Sequence, residues 1–136
     1  YLLTWRYYGI DLSQLQQLAP ALLHHMAPAE VVAIQHQASA VTLGSIVFCQ
    51  VGNLMACRSD RQSVFRLPAF SNGLLWLGIA SEWLAFGSLL TIPLLAALFQ
   101  LAPFPTPLWG WLLLCSPTLL LADELRKAWR RRQRPL

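Results

Sequence analysis

Apolar residues run almost unbroken through most of the chain, and few polar positions punctuate them. From Val31 to Cys57 there is no Asp, Glu, Lys or Arg, and from Leu67 to Ala122 there is one, Glu82. A helix needs about 20 mostly apolar residues to cross a bilayer. The first stretch therefore holds one crossing and the second two, with a break near "LAPFPTP", Leu101 to Pro107. The pattern predicts a long helix from about Pro28 to Cys57. Its first turns, with Gln35, His36 and Gln37, stand outside the hydrocarbon, and its crossing is residues 38–57. A second crossing covers residues 74–92. A third helix runs from Leu108 to about Arg132, with its crossing at residues 108–125. Pro117 is expected to bend this last helix, because proline removes a backbone donor.

The remaining segments are less regular. In Asp11–Met26 the leucines at 12, 15 and 18 recur near helical spacing and Pro20 interrupts, which reads as a loop with a short helix at the membrane surface. Tyr1–Tyr8 reads either as the end of an earlier membrane helix or as a short interfacial segment. No secretory leader is visible, so the opening reads as mid-protein. Ser59–Asn72 is a connection, and Pro93–Pro107 is an outer turn with a partial helix. The fold class is an all-α membrane protein. It is a helix bundle of three full crossings, with the end of a preceding helix taken as residues 1–8.

Composition supports lipid as the main solvent. Hydrophobic residues make up 56% and charged residues 12%, against roughly a quarter charged in a soluble domain, and mean hydropathy is +0.47. Nine of the ten Lys and Arg residues lie in Arg58–Arg66 or Arg126–Arg134, while the Pro93–Pro107 turn has none. The positive-inside rule then puts both basic groups, and the C-terminus, in the cytoplasm. Trp109 and Trp111 mark the outer interface and Trp129 the inner one. The tail "RKAWRRRQR" is expected to meet anionic lipid head groups or a cytoplasmic domain rather than nucleic acid. Cys49, Cys57 and Cys115 have neither metal-ligand nor disulfide-framework spacing and read as buried reduced thiols. His24–His25 reads as a surface pair without a third ligand. The sequence has no nucleophile beside a base and no phosphate loop.

The candidate chemistry lies in the polar residues of the crossings. Gln50 and Asn53 are three apart and share a helix face. Ser45, Cys49, Gly52 and Ala56 are read as extending that face. Gln50 lies eight residues from Arg58, about 12 Å along the helix, and Glu82 ten residues from Asn72, about 15 Å. Both depths approach the midplane of a core about 30 Å thick. An acid at that depth marks an ion or proton path by default, and Glu82 shares a small-residue face with Gly78, Ser81, Ala85 and, one turn further, Ser88 or Leu89. The other reading is structural, with all three residues tying helices together. Asp123 and Glu124, four and three residues before Lys127, can pair with it.

The segments "QVGNLMACRSDRQSVF" (Gln50 to Phe65), "GIASEW" around Glu82 and "ADELRKAWRRR" (Ala122 to Arg132), with their spacing, resemble the C-terminal membrane region of cation-transporting P-type ATPases of the calcium and sodium–potassium pump branch. The resemblance covers about Glu30 to Arg132. It implies that the crossings are helices eight, nine and ten of ten. Residues 9–29 would be an extracytoplasmic loop with a surface helix, residues 30–132 the C-terminal domain and residues 133–136 a cytoplasmic tail. It also implies that Gln50, Asn53 and Glu82 lie at or near a peripheral cation or proton site. Arg58, Arg61, Arg66, Asp123, Glu124, Arg126 and Lys127 would form a cytoplasmic anchor.

Where that family has an acid or an amide, this chain has the amide Asn53, so a site here carries less charge and binds more weakly. The implied partners are the bilayer, the remaining helices and cytoplasmic domains of a parent pump, and a transported cation. No metal beyond that cation is expected, and the plasma membrane is the expected location. The phosphorylated aspartate motif and the nucleotide-binding parts are not in these residues. ATP and Mg are therefore cofactors of the parent translocase, and the chain is expected to be inactive alone. Two other readings are a stand-alone membrane scaffold and a small proton-coupled carrier built around Glu82.

Overall fold

The computed structural model describes residues 1–58 and 72–133. Arg61, Arg66 and the end of the tail, residues 134–136, lie outside the described residues. Six helices and no strand occur among the described residues: α1 Leu2–Tyr7, α2 Leu12–Leu23, α3 Ala29–Ala56, α4 Gly73–Thr91, α5 Pro93–Leu98 and α6 Thr106–Gln133. Three of them, α3, α4 and α6, are long and apolar enough to cross a membrane. Their ends fall within one or two residues of the expected ones.

The helix ends follow local chemistry. Asn72 caps α4, its Oδ1 accepting from the amides of Leu74 (3.1 Å) and Leu75 (3.4 Å). The Asp11 amide at the start of α2 donates to Gln14 Oε1 at 3.0 Å. Pro93 opens α5, where its missing N–H costs nothing. Three C-termini close in one way. Gly9, His25 and Gln100 take φ of 78°, 56° and 52°. In each case the next amide reaches back five residues: Ile10 to Trp5 O (3.0 Å), Met26 to Ala21 O (2.8 Å) and Leu101 to Ala96 O (2.8 Å).

Two proline readings need correction. α2 runs through Pro20 without interruption, because a proline loses only one intrahelical bond and the flanking turns hold. Likewise α6 begins at Thr106 rather than Leu108, since Pro107 fits the first turn. α6 also continues through Pro117. No residue of α2 is buried, and Leu12 and Leu23 are exposed, as suits a surface helix.

The chain divides into two compact units. The first comprises Tyr1–Gly44 and Gly87–Leu108. Thr4 and Trp5 of α1 are buried there, as are Ala38, Ala40 and Val41 of α3, and Leu101, Phe104 and Leu108 around the proline-rich turn. The Tyr8 hydroxyl donates to Gln37 Oε1 at 2.5 Å.

The second unit comprises Ser45–Phe86 and Trp109–Leu136. Aromatic edges bring α4 in: Phe48 meets Trp83 at 4.7 Å and Phe86 meets Trp109 at 6.2 Å between ring centroids. The end of α3 and α6 touch backbone to side chain. Ser116 Oγ donates to Phe48 O. A Cβ on Gly52 would stand 3.0 Å from Ser116 O and 3.1 Å from Ser116 Cα, so any side chain there would press on the Ser116 backbone, and glycine suits this close approach. Further along, Lys127 is 1% exposed, and its Nζ donates to Ala56 O at 3.1 Å. The ammonium also lies 2.7 Å from Asp123 Oδ2 and 3.6 Å from Glu124 Oε1. Asp123 Oδ1 accepts from Arg126 Nε at 2.9 Å.

Four outcomes follow, each read by thermal unfolding in detergent. Gly52→Leu should cost about 1–3 kcal/mol through overpacking against Ser116. Gly78→Ala, where a Cβ meets nothing within 4 Å, should change stability by less than about 0.5 kcal/mol. Lys127→Met should cost about 3 kcal/mol, because it leaves Asp123 Oδ2 and the Ala56 carbonyl without the ammonium while Arg126 holds only Oδ1. Adding Asp123→Asn should recover part of that loss. Full additivity of the two changes would disprove the coupling.

Candidate functional site

The three membrane-depth polar residues sit in the second unit. Glu82 recurs with Ile79 and Phe86 at three and four residues, and those two are 7% and 2% exposed. This is the inward stripe of α4. The carboxylate is part-buried, and its Oε2 is enclosed with no hydrogen-bond partner among the described residues. Of the small residues expected on its face, Gly78 and Ser88 are part-buried. Ser81 and Ala85 are exposed, and a Cβ at Gly78 would meet nothing within 4 Å. Ser81 spends its hydroxyl on Gly78 O at 2.7 Å.

Gln50 and Asn53 do share a stripe, but a different one from that expected. With Ile46 and Cys57 they form the exposed side of α3. Ser45, Cys49, Gly52 and Ala56 form another side, part-buried or buried, that carries the contacts to α6. The reason is angular: Gln50 and Gly52 are two residues apart, roughly 200° around a helix. Asn53 Oδ1 accepts a weak bond from Cys57 Sγ at 3.7 Å. Among the described residues no hydrogen bond joins either amide to Glu82.

Of the anchor residues, Asp123, Glu124, Arg126 and Lys127 are brought together as expected. Arg58 follows the last turn of α3, its amide reaching Met55 O at 3.4 Å. His24 and His25 are exposed. Among the described residues no group of three or more His, Cys, Asp or Glu is arranged to hold a metal ion.

Sequence reasoning paired Lys127 with Asp123 and Glu124 but missed its reach to Ala56, 71 residues away. A signal was present. Lys127 is the one lysine among ten basic residues, the other nine being arginine. A compact ammonium on a flexible stem can enter a buried carbonyl site that a planar guanidinium fits poorly.

Comparison with known proteins bears on the whole arrangement. The family model described as "Cation transporting ATPase, C-terminus" matches residues 1–129. The match therefore takes in α1 and α2 as well as the crossings. The chain is 30% identical over 93 residues to "Calcium-transporting ATPase 1" of Schizosaccharomyces pombe, covering 68% of this chain and 10% of that protein. It is 28% identical over 93 residues to "Calcium-transporting ATPase 1" of Saccharomyces cerevisiae, with the same coverage. The chain thus aligns with about a tenth of the length of either relative. No solved structure matches it. Three membrane-length helices and a match over residues 1–129 make the chain an integral membrane protein of the cation-transporting ATPase C-terminus family.

Proposed function

We propose that this domain braces the transport helices of a cation pump and lends Glu82, with Gln50 and Asn53, to a peripheral cation or proton site. The observation that carries the reading is Glu82 Oε2, enclosed and without a partner among the described residues. A carboxylate at membrane depth is costly to leave uncompensated. A bound cation or a proton removes that cost. The amides support the bracing part. Gln50 and Asn53 are exposed on the side of α3 away from the Gly52 and Ser116 contact. Amides on a membrane helix hydrogen-bond to neighbouring helices.

In the pump, this reading makes α3, α4 and α6 helices eight, nine and ten. Gln50 and Asn53 then turn toward the earlier transport helices. Phosphorylation, ATP and Mg belong to domains outside these residues. The named relatives are calcium pumps, which makes calcium the first cation to test. Both basic groups and the C-terminus are placed in the cytoplasm by the positive-inside rule, and the plasma membrane is the proposed location.

The test is Glu82→Gln in the full-length pump, which keeps the shape and removes the charge. The half-saturating cation concentration of ATPase activity should move roughly threefold to tenfold, about 1 kcal/mol, and its pH dependence should change. An unaltered cation and pH dependence would reduce Glu82 to a structural residue.

A further inference from the structure

The turn from α4 to α6 carries an apolar surface that the reading above does not use. No Asp, Glu, Lys, Arg or His lies between Glu82 and Asp123, and from Ile92 to Phe104 the one polar side chain is Gln100. α5 sits in this stretch. Leu94 and Leu98, four apart on one side of it, are 77% and 72% exposed, and Ile92 and Phe99 at its two ends are exposed as well. Leu95 and Ala96 are part-buried, and Leu101 and Phe104 beyond the helix are buried. α2, in the same unit, differs, because its exposed residues include Ser13, Gln14, Gln16 and Gln17. An exposed apolar patch of this kind marks a surface for lipid or for another protein.

Length limits the depth of α5. α4 has 19 residues and rises about 28 Å, close to the whole of a hydrocarbon core about 30 Å thick. It ends at Thr91, whose hydroxyl donates back to Gly87 O at 2.8 Å. One extended residue, Ile92 with φ −85° and ψ 112°, separates it from Pro93. α5 therefore starts at the boundary of the hydrocarbon. Its six residues rise about 9 Å, too short to cross. A helix leaves its first amides and last carbonyls without partners inside it, and hydrocarbon offers them none. Part of that need is met locally. Pro93 has no amide to pair, and the Gln100 and Leu101 amides donate to Ala97 O (3.2 Å) and Ala96 O (2.8 Å). The rest needs polar groups at the level of the lipid head groups. An apolar side on a helix whose ends need polar partners fits this boundary layer better than water or the acyl interior.

We propose that α5 is an interfacial helix, lying in the leaflet where α4 ends with Leu94, Leu98 and Phe99 against lipid. Lipid is the occupant because the surface continues that of α4, a membrane-length helix on which Leu77 and Leu84 are exposed. No charged side chain intervenes between Leu84 and Leu94. The lipid contact holds the α4–α6 turn at one depth, and so sets the depth at which α4 ends. This inference stands apart from any role of Glu82.

The test is carbene footprinting of the unmodified full chain in the membranes in which it is made. A lipid-soluble diazirine and a water-soluble one are photolysed in separate samples. Labelled residues are read by mass spectrometry after chymotryptic cleavage. Leu77, exposed on α4, gives the upper reference for the lipid-soluble probe, and Leu112, buried on α6, gives the lower one. The expected result is that Leu94, Leu98 and Phe99 take up the lipid-soluble probe about as strongly as Leu77. The water-soluble probe should label Gln14 and Gln17 of α2 and leave α5 at the level of Leu112. Stronger labelling of α5 by the water-soluble probe overturns the proposal, since the turn then stands in water. Labelling of α5 by neither probe also overturns it, since protein then covers the face, whether a second copy or another partner.

Discussion

The end of α3 is the point on which the second unit depends. A helix terminus leaves its last carbonyls without intrahelical donors, and near a bilayer there is little water to replace them. Lys127 answers this from another helix by donating to Ala56 O. The cost of enclosing an ammonium is offset by Asp123, one turn before it, and by Glu124. Both acids lie on α6 itself, so forming that helix assembles the cluster before α3 arrives. The contact also demands a short distance between the helices. Gly52, on the same side of α3 as Ala56, supplies it at Ser116. Neither feature works alone, because a bulky residue at 52 would lift the Ala56 carbonyl out of reach.

This arrangement divides the polar residues of α3 into two sets. The side with Ser45, Cys49, Gly52 and Ala56 is spent on α6. Among the described residues, the side with Gln50 and Asn53 makes no hydrogen bond in its unit beyond the weak Cys57 contact. A helix buried against one neighbour and polar on another side is shaped for more than one partner. α4 differs, because its polar residue lies on the inward stripe, between Ile79 and Phe86.

The three crossings were legible because charge is absent within them and concentrated at their ends. Caps were legible in part: Pro28 and Glu30 marked the start of α3, and Asn72 sits one residue before α4. Prolines were misjudged at both α2 and α6, since proline forbids one hydrogen bond rather than a helix. The face assignments failed for a related reason. Cys49 and Ala56 lie four and three residues from Asn53, Ser45 and Gly52 lie four and three from Cys49, and chaining such neighbours walks around the helix. Only the position of α6 separates the two sides. Lys127 shows the same boundary, since its partners at three and four residues were readable and its partner on another helix was not. Gln50, Asn53 and Glu82 were legible as unusual residues, but the side each faces depends on packing that one sequence does not encode locally.

Amides and acids impose different demands on a bilayer protein. An exposed amide pair gains roughly 0.6–2 kcal/mol per hydrogen bond made to another helix, which suits attachment and tolerates substitution. A carboxylate with an enclosed, unpartnered oxygen asks for more: a proton, or a cation with other ligands around it. On the proposed reading, bracing and ion binding are two results of one arrangement. On that reading, spending the Gly52 side of α3 on α6 leaves the amide side for the other helices of a pump. The same helices would have to close around Glu82 if its charge is to be met by an ion. A proton needs no such closure. On the proposed reading, how closely the neighbouring helices pack around Glu82 therefore decides whether an ion can be held there.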